Sequence, residues 1–140
     1  MLKRFIRNEK GLTLVELLAV IVILGIIAAI AVPSIGGIIE KTKKDAQVAE
    51  AIQIINAAKL HASTRNVTTG DVVVDDSVLG EYLDNIDDPD YEVYIKFVTG
   101  TGMEYYIRNH KANSVVVGTN DPGEADENGD YTSETQLINY

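Results

Sequence analysis

Glu16 occupies a position that needs a chemical explanation. In the twenty-one residues from 12 to 32, Thr13 and Glu16 carry the only polar side chains. An uncompensated carboxylate at the centre of a membrane-spanning helix costs about 2.5 to 3.5 kcal/mol on insertion scales. Neither a signal sequence nor a simple anchor needs a carboxylate at this position. Glu16 therefore indicates a partner of opposite charge.

No catalytic constellation can be assembled from the remaining residues. The chain has no cysteine and two histidines, which excludes thiol nucleophiles, thiolate metal sites and histidine-rich metal spacings. No nucleophile comes with a plausible base, and no glycine-rich loop has the spacing that cradles phosphate. The sequence predicts a protein that is not an enzyme and that requires no cofactor.

A second group of oxygen ligands lies in an acidic segment near the C-terminus. The candidate calcium ligands are Asp121, Asp126, Asn128 and Asp130. Oxygen ligands at alternate positions are typical of the start of a calcium loop. Tyr131 stands where an EF-hand needs glycine, and Leu137 stands where it needs glutamate. The segment is therefore either a calcium loop of another kind or a solvated acidic loop.

The apolar segment is long enough to cross a membrane, and it follows a basic leader. As a helix, residues 12–32 span roughly 31 Å, about the hydrocarbon thickness of a bilayer. Residues 1–11 carry a net charge of +3, which favours a cytoplasmic N-terminus, and residues 12–140 carry −12. A surface that acidic repels phosphate backbones, so direct binding of nucleic acid is not expected.

Three interpretations of this N-terminus compete. A signal peptidase could cut near residues 29–31 and leave Val32 as the first residue. An uncut membrane anchor would keep Met1. A third kind of processing would cut before the apolar segment and keep that segment in the mature protein. The carboxylate of Glu16 favours the third interpretation.

Residues 8–35 resemble a known family. The string KGLTLVE from Lys10 to Glu16, followed by an unbroken apolar helix and then Pro33, resembles the N-terminus of type IV pilins and pseudopilins. The resemblance implies that a prepilin peptidase cuts after Gly11 and methylates the new amino terminus at Leu12. Phenylalanine is more usual there than leucine.

The resemblance also implies partners and a location. The expected partners are other copies of this chain, other pilins, a pilus assembly platform, the prepilin peptidase and, before assembly, the cytoplasmic membrane. The precursor is then a single-pass protein of the cytoplasmic membrane, and the product an extracellular or periplasmic filament. Some pseudopilins bind calcium where many pilins have a C-terminal disulfide, which supports the calcium interpretation.

Cleavage after Gly11 would leave one acid and one amine on each subunit. It removes the leader cations and creates an α-amino group at Leu12, four residues before Glu16. Where such helices pack away from water, Glu16 of one subunit can neutralise the amine of the next, and the pair can set the axial register. Thr13, one turn away, either returns its hydroxyl to the carboxylate or backbone or has no role.

Pro33 predicts an interruption of the long helix. Proline lacks an N–H and clashes with the carbonyl of residue 29, and Gly36 and Gly37 follow shortly after. We therefore expect a kink or local melting over residues 29–37.

Residues 38–63 contain neither proline nor glycine and predict an amphipathic half of the same helix. Small and branched apolar residues recur at three-to-four spacing, which predicts one covered face. These residues are Val48, Ala49, Ile52, Ile55, Ala58 and Ala62.

The clearest strands lie in the C-terminal half of the chain. Residues 91–98 and 103–108 alternate between apolar and polar side chains, and the turn residues 99–102 between them predict a hairpin. Three valines predict a third strand at residues 114–118. Before the hairpin, residues 72–74 are β-prone and residues 77–83 suggest a single helical turn.

These elements together predict an α+β fold. A long N-terminal helix, with a hydrophobic half and an amphipathic half, packs on a small antiparallel sheet of about three strands. The predicted organisation is a leader at 1–11, a transmembrane or fibre-core helix at 12–37 and a globular head at 38–140. The head comprises the amphipathic half, a connector, the sheet and the acidic loop.

Two functions from different classes remain open on these grounds. The first is a structural subunit of a type IV pilus-like filament, assembled through its N-terminal helix after removal of the leader. The second is a membrane-anchored or secreted acidic binding module, which would bind calcium or another ligand. The mature N-terminus distinguishes them, because Leu12 supports the first, Val32 the secreted module and Met1 the anchored one.

Overall fold

The computed structural model describes residues 6–68, 70–116 and 131–140, with side chains from residue 13 onward. Its first element is a single long helix, α1, from Ile6 to Thr64. Asn66 ends it by adopting a left-handed conformation with φ of 50°, and Val67 N–H donates to the carbonyl of Ala62 at 3.0 Å. This pattern satisfies carbonyls that a helix end would otherwise leave unpaired.

The helix continues through Pro33 and the two glycines that follow. The local melting expected over residues 29–37 is therefore wrong for the single chain. A proline inside a helix removes one hydrogen bond, while the neighbouring residues keep theirs, so a long helix can continue past it. The bend at Pro33, and the order of this region in a fibre, stay predictions.

The elements after α1 are short. They are β1 (Val72–Asp75), α2 (Asp76–Leu79), β2 (Glu92–Val98), β3 (Gly102–Arg108), α3 (Ala112–Val115), β4 (Thr132–Ser133) and α4 (Glu134–Ile138). The four strands form one antiparallel sheet in the order β1-β2-β3-β4. The chain divides into two compact units, Met1–Thr42 and Lys43–Tyr140, so α1 contributes residues to both.

The predicted hairpin is confirmed. Strand β2 pairs with β3 over seven residues, from Glu92 opposite Arg108 to Val98 opposite Gly102. The connection needs glycine, because Gly100 and Gly102 have φ of 97° and 101°, values that side chains with a Cβ atom rarely adopt. The helical turn expected in the connector is also present, as α2.

The third predicted strand, at residues 114–118, is wrong where the structure describes it. Residues 112–115 form α3, and the fold has four strands because β1 and β4 join the hairpin. Ala112 and Val116 are both buried, a spacing that suits a helical turn. The Asn113 amide donates to the carbonyl of Ile107 at 2.8 Å and to the hydroxyl of Thr132 at 2.9 Å, which holds α3 beside β3 and β4.

The core of the second unit lies between one face of α1 and one face of the sheet. Ile54 and Ile55 from the helix are fully buried, as is Ile107 of β3, and Leu79 of α2 packs into the same cluster. Most of the predicted apolar stripe is confirmed, since Val48, Ile55, Ala58 and Ala62 are buried and Ile52 is packed against the cluster. Ala49 is exposed instead, and Ala51 and Ile54 take its place.

Candidate functional site

The predicted assembly residues lie in the N-terminal part of α1. Gly11 and Leu12 are helical, and their side chains fall outside the described residues. Thr13 and Glu16 are exposed and lie one turn apart, so they share a face of the helix. Pro33 is exposed on the same helix.

The helix surface around Glu16 is apolar and exposed to an unusual extent. Sixteen leucine, isoleucine and valine side chains from Leu14 to Ile39 have exposed fractions between 50% and 71%. Singly exposed apolar residues are normal on proteins, but a continuous surface of this size marks a contact with lipid or with another protein. By length and composition, α1 can cross a membrane.

Polar contacts organise the far side of the sheet in the second unit. The hydroxyl of Tyr94 donates to Asp71 at 2.7 Å, and the Phe97 N–H donates to the same carboxylate at 3.1 Å. These hydrogen bonds lower the pKa of Asp71, and the bond from Tyr94 raises the pKa of that tyrosine to about 12. Asp71 therefore joins the start of β1 to β2, and we assign it a structural role.

Ion pairs connect further elements of this unit. Arg108 Nε donates to Glu92 at 2.7 Å across the hairpin, and Lys59 of α1 pairs with Glu134 of α4. The Lys59 ammonium also lies 5.3 Å from the centre of the Tyr105 ring. Because both pairs are partly exposed, each is worth at most about 1 kcal/mol and fixes orientation more than stability.

A shallow groove between β3 and the start of α4 contains no catalytic arrangement among its described residues. Its volume is about 400 Å³, and it includes Glu104, Ser133 and Glu134. The Ser133 hydroxyl accepts from Gln136 N–H at 3.3 Å, so it caps α4. No histidine lines the groove, and its one serine is used by the fold.

The candidate calcium ligands Asp121, Asp126, Asn128 and Asp130 all lie outside the described residues. Within residues 13–68, 70–116 and 131–140, no group of three or more histidine or acidic side chains could hold a metal ion. The calcium interpretation therefore still depends on the sequence pattern.

Sequence reasoning did not single out His110 and Asn113, which the structure places at the junction of β3, α3 and β4. The Asn113 side chain accepts from His110 N–H at 3.0 Å while its amide donates to two other segments. The turn-prone character of residues 109–113 was the only signal in the sequence. A local pattern cannot show which distant backbone groups a side chain reaches.

Comparison with known proteins agrees with the geometry of the N-terminal unit. Residues 6–32 match the family model of the prokaryotic N-terminal methylation motif. This segment contains Gly11, Leu12, Thr13 and Glu16 and most of the exposed apolar surface. The resemblance to type IV pilins and pseudopilins is therefore confirmed.

One relative is a protein of bacterial secretion. The chain is 37% identical over 60 residues to the type II secretion system core protein G of Aeromonas hydrophila. The match covers 43% of this chain and 42% of that protein, so it spans less than half of either. No solved structure matches the chain. The apolar helix and the methylation motif together fit a membrane-anchored precursor.

Proposed function

We propose that the chain is a structural subunit, a pilin or pseudopilin, of a type IV pilus-like filament. It is made as a single-pass precursor in the cytoplasmic membrane, is cut after Gly11, and assembles through the apolar part of α1. The observation that carries this proposal is the exposed apolar surface from Leu14 to Ile39, in which Glu16 is the one charged group.

The physical argument concerns where this surface can be stable. Exposure of so many apolar side chains to water is unfavourable. Before assembly, a bilayer covers them. Packing against the same helix of other subunits covers them afterwards. In the bilayer Glu16 has the α-amino group of its own Leu12, four residues earlier, whereas in the filament the α-amino group of Leu12 on a neighbouring subunit also comes within reach, away from lipid and water. The carboxylate therefore favours the filament over the bilayer as the final location.

The proposed partners follow from the same steps. A prepilin peptidase cuts and methylates the precursor, an assembly platform extracts it, and other copies of this chain or other pilins receive it. The similarity to a type II secretion core protein supports the pseudopilin branch. Catalysis and nucleic-acid binding form no part of the proposal.

The N-terminus of the native product tests this function. We expect mass spectrometry of the full-length protein, expressed with a prepilin peptidase, to find a methylated Leu12 at the start. Gly11→Val should block cleavage and leave the leader attached. Gly37→Val is the matched control, since a Cβ atom at that position meets nothing within 4 Å, and it should be cut normally.

Other N-termini would favour the second function. A product beginning at Val32 would make the chain a secreted acidic module, and an intact Met1 in the presence of the peptidase would make it an anchored one. Either result would overturn the filament proposal, because the first product lacks Glu16 and the apolar segment, and the second lacks the α-amino group at Leu12 that Glu16 requires.

Calcium binding by the acidic segment is a separate proposal with its own test. EGTA should lower the melting temperature of the full chain in detergent, and calcium but not magnesium should restore it. Asp126→Asn should abolish this response, whereas Asp84→Asn, at an exposed position of the second unit, should retain it. An unchanged melting temperature after chelation would exclude a stabilising calcium site.

A further inference from the structure

His110 is a buried histidine at a junction of three segments in the second unit. It follows β3, after a sharp turn at Asn109 with φ of 57°, and lies two residues before the start of α3 at Ala112. Its side chain has no exposed area. A histidine buried so completely is expected to be uncharged unless a partner compensates its charge.

The hydrogen bonds of the imidazole define its protonation state. Ala112 N–H donates to His110 Nδ1 at 3.1 Å, so Nδ1 is an acceptor and carries no proton. The neutral ring then carries its proton on Nε2. Among the described residues Nε2 has no hydrogen-bond partner, and Glu50 Oε2 lies 3.7 Å away.

The charged groups around His110 tie the junction together. Glu50 of α1 accepts from Asp87 N–H at 2.8 Å, which joins the helix to the segment between α2 and β2. Asp88 of that segment accepts from Lys111 N–H at 3.1 Å. The Lys111 ammonium in turn lies 3.3 Å from Asp87. Glu50, Asp88 and Lys111 are thus the ionisable neighbours that act on the imidazole.

A second proton on the imidazole is incompatible with this arrangement. It would sit on Nδ1 and face the Ala112 N–H, so two donors would oppose each other where one hydrogen bond now forms. Burial lowers the pKa of His110, and although Glu50 and Asp88 raise it, the net direction is downward. Protonation therefore requires the turn at residues 110–112 to open.

We propose that His110 is an acid-sensitive latch, which holds the turn into α3 closed while neutral and releases it on protonation. The released imidazolium moves toward the Glu50 carboxylate. Because Glu50 also holds the Asp87 N–H, the segment between α2 and β2 loosens with the turn. The latch operates within one subunit, so it goes beyond the filament function and does not depend on polymerisation.

The sign of the pH dependence follows from proton linkage. A histidine in the unfolded chain has a pKa of about 6.5, so below that pH it binds a proton that His110 in the folded protein does not bind. Stability is therefore full above that pH and decreases as the pH falls below it. The unfolding equilibrium constant should rise by up to about tenfold for each pH unit, until the depressed pKa of folded His110 is reached.

Thermal unfolding of the full chain in detergent, measured between pH 7.5 and 5, tests the latch. His110→Asn keeps an acceptor for the Ala112 N–H and removes the titration, so it should flatten the histidine part of the pH profile even if it lowers stability throughout. His61→Asn is the matched control, since His61 is the other histidine of the chain, and it should keep the wild-type slope. An unchanged slope in His110→Asn would overturn the proposal.

Nuclear magnetic resonance of the ring nitrogens provides an independent measurement that needs no variant at position 110. The His61→Asn protein leaves one histidine signal, which should report a proton on Nε2 at pH 7. The amide signals of Ala112 and Asp87 should shift together with the ring when it titrates. A proton on Nδ1, or a titration that leaves both amides unchanged, would refute the latch.

Discussion

Filaments should be absent when Glu16 is replaced by alanine, although the precursor still inserts into the membrane and loses its leader. Insertion becomes easier, because the substitution removes a carboxylate that costs about 2.5 to 3.5 kcal/mol in a membrane helix. Assembly fails because the α-amino group of Leu12 then enters the filament interior unpaired. Stranding one charge of a buried pair costs about 3 to 5 kcal/mol.

That cost applies to every subunit that joins the filament. It corresponds to a loss of roughly two to nearly four powers of ten in the association constant of each addition. The measurement is the number of filaments in electron micrographs of cells and of purified material. Glu16→Gln separates charge from size, and it should fail almost as completely if neutralisation of the amine is what matters.

Glu40→Ala is the matched control for this experiment. Glu40 lies on the exposed surface of the same helix but beyond the apolar stretch, so its loss should leave filaments normal. Normal filaments from Glu16→Ala would refute the pairing argument. If Glu16→Ala and Glu40→Ala were equally defective, the result would indicate a general dependence on acidic residues of α1 rather than a specific pair.

The second large effect concerns the stability of the head. Ile54→Ala should lower the free energy of unfolding by about 2 to 5 kcal/mol, because Ile54 is fully buried between α1 and the sheet and its removal leaves a cavity. The free energy of unfolding of a small domain is about 5 to 15 kcal/mol in total, so this variant approaches global unfolding.

Denaturant titration followed by tyrosine fluorescence can measure the change, since the chain has seven tyrosines and no tryptophan. Ile138→Ala is the matched control. Ile138 is also an isoleucine in a helix, α4, but its side chain is 63% exposed. Its replacement should therefore lower the free energy of unfolding by less than about 0.5 kcal/mol. Equal losses in the two variants would contradict the position of the core described above.

The long helix and the hairpin were predictable because their signals are local. Twenty-one nearly uninterrupted apolar residues, and then an amphipathic repeat, specify α1 without reference to any distant residue. The alternation in β2 and β3 and the glycines between them specify a hairpin in the same way. The predicted strand is wrong at residues 114–116, the part that the structure describes. Consecutive valines favour a strand locally, whereas the side chain of Asn113, within α3, holds this helical turn through hydrogen bonds to β3 and β4.

The residues discussed as functional candidates also differ in whether the local sequence could identify them. Gly11, Leu12, Thr13 and Glu16 were identified from their order in the chain, because the motif is contiguous and its chemistry depends on spacing along one helix. His110 was not, since its properties depend on a glutamate sixty positions earlier and on a backbone amide two positions later.

The amino-acid sequence by itself determined the membrane-competent apolar segment 12–32, the single acid within it and the processing motif, because each results from residues adjacent in the chain. Tertiary structure alone decided that β1 and β4 complete a four-stranded sheet and that His110 is buried against Glu50. Hydrogen bonding and burial between distant segments are set by how those segments pack, and no local pattern of side chains contains that information.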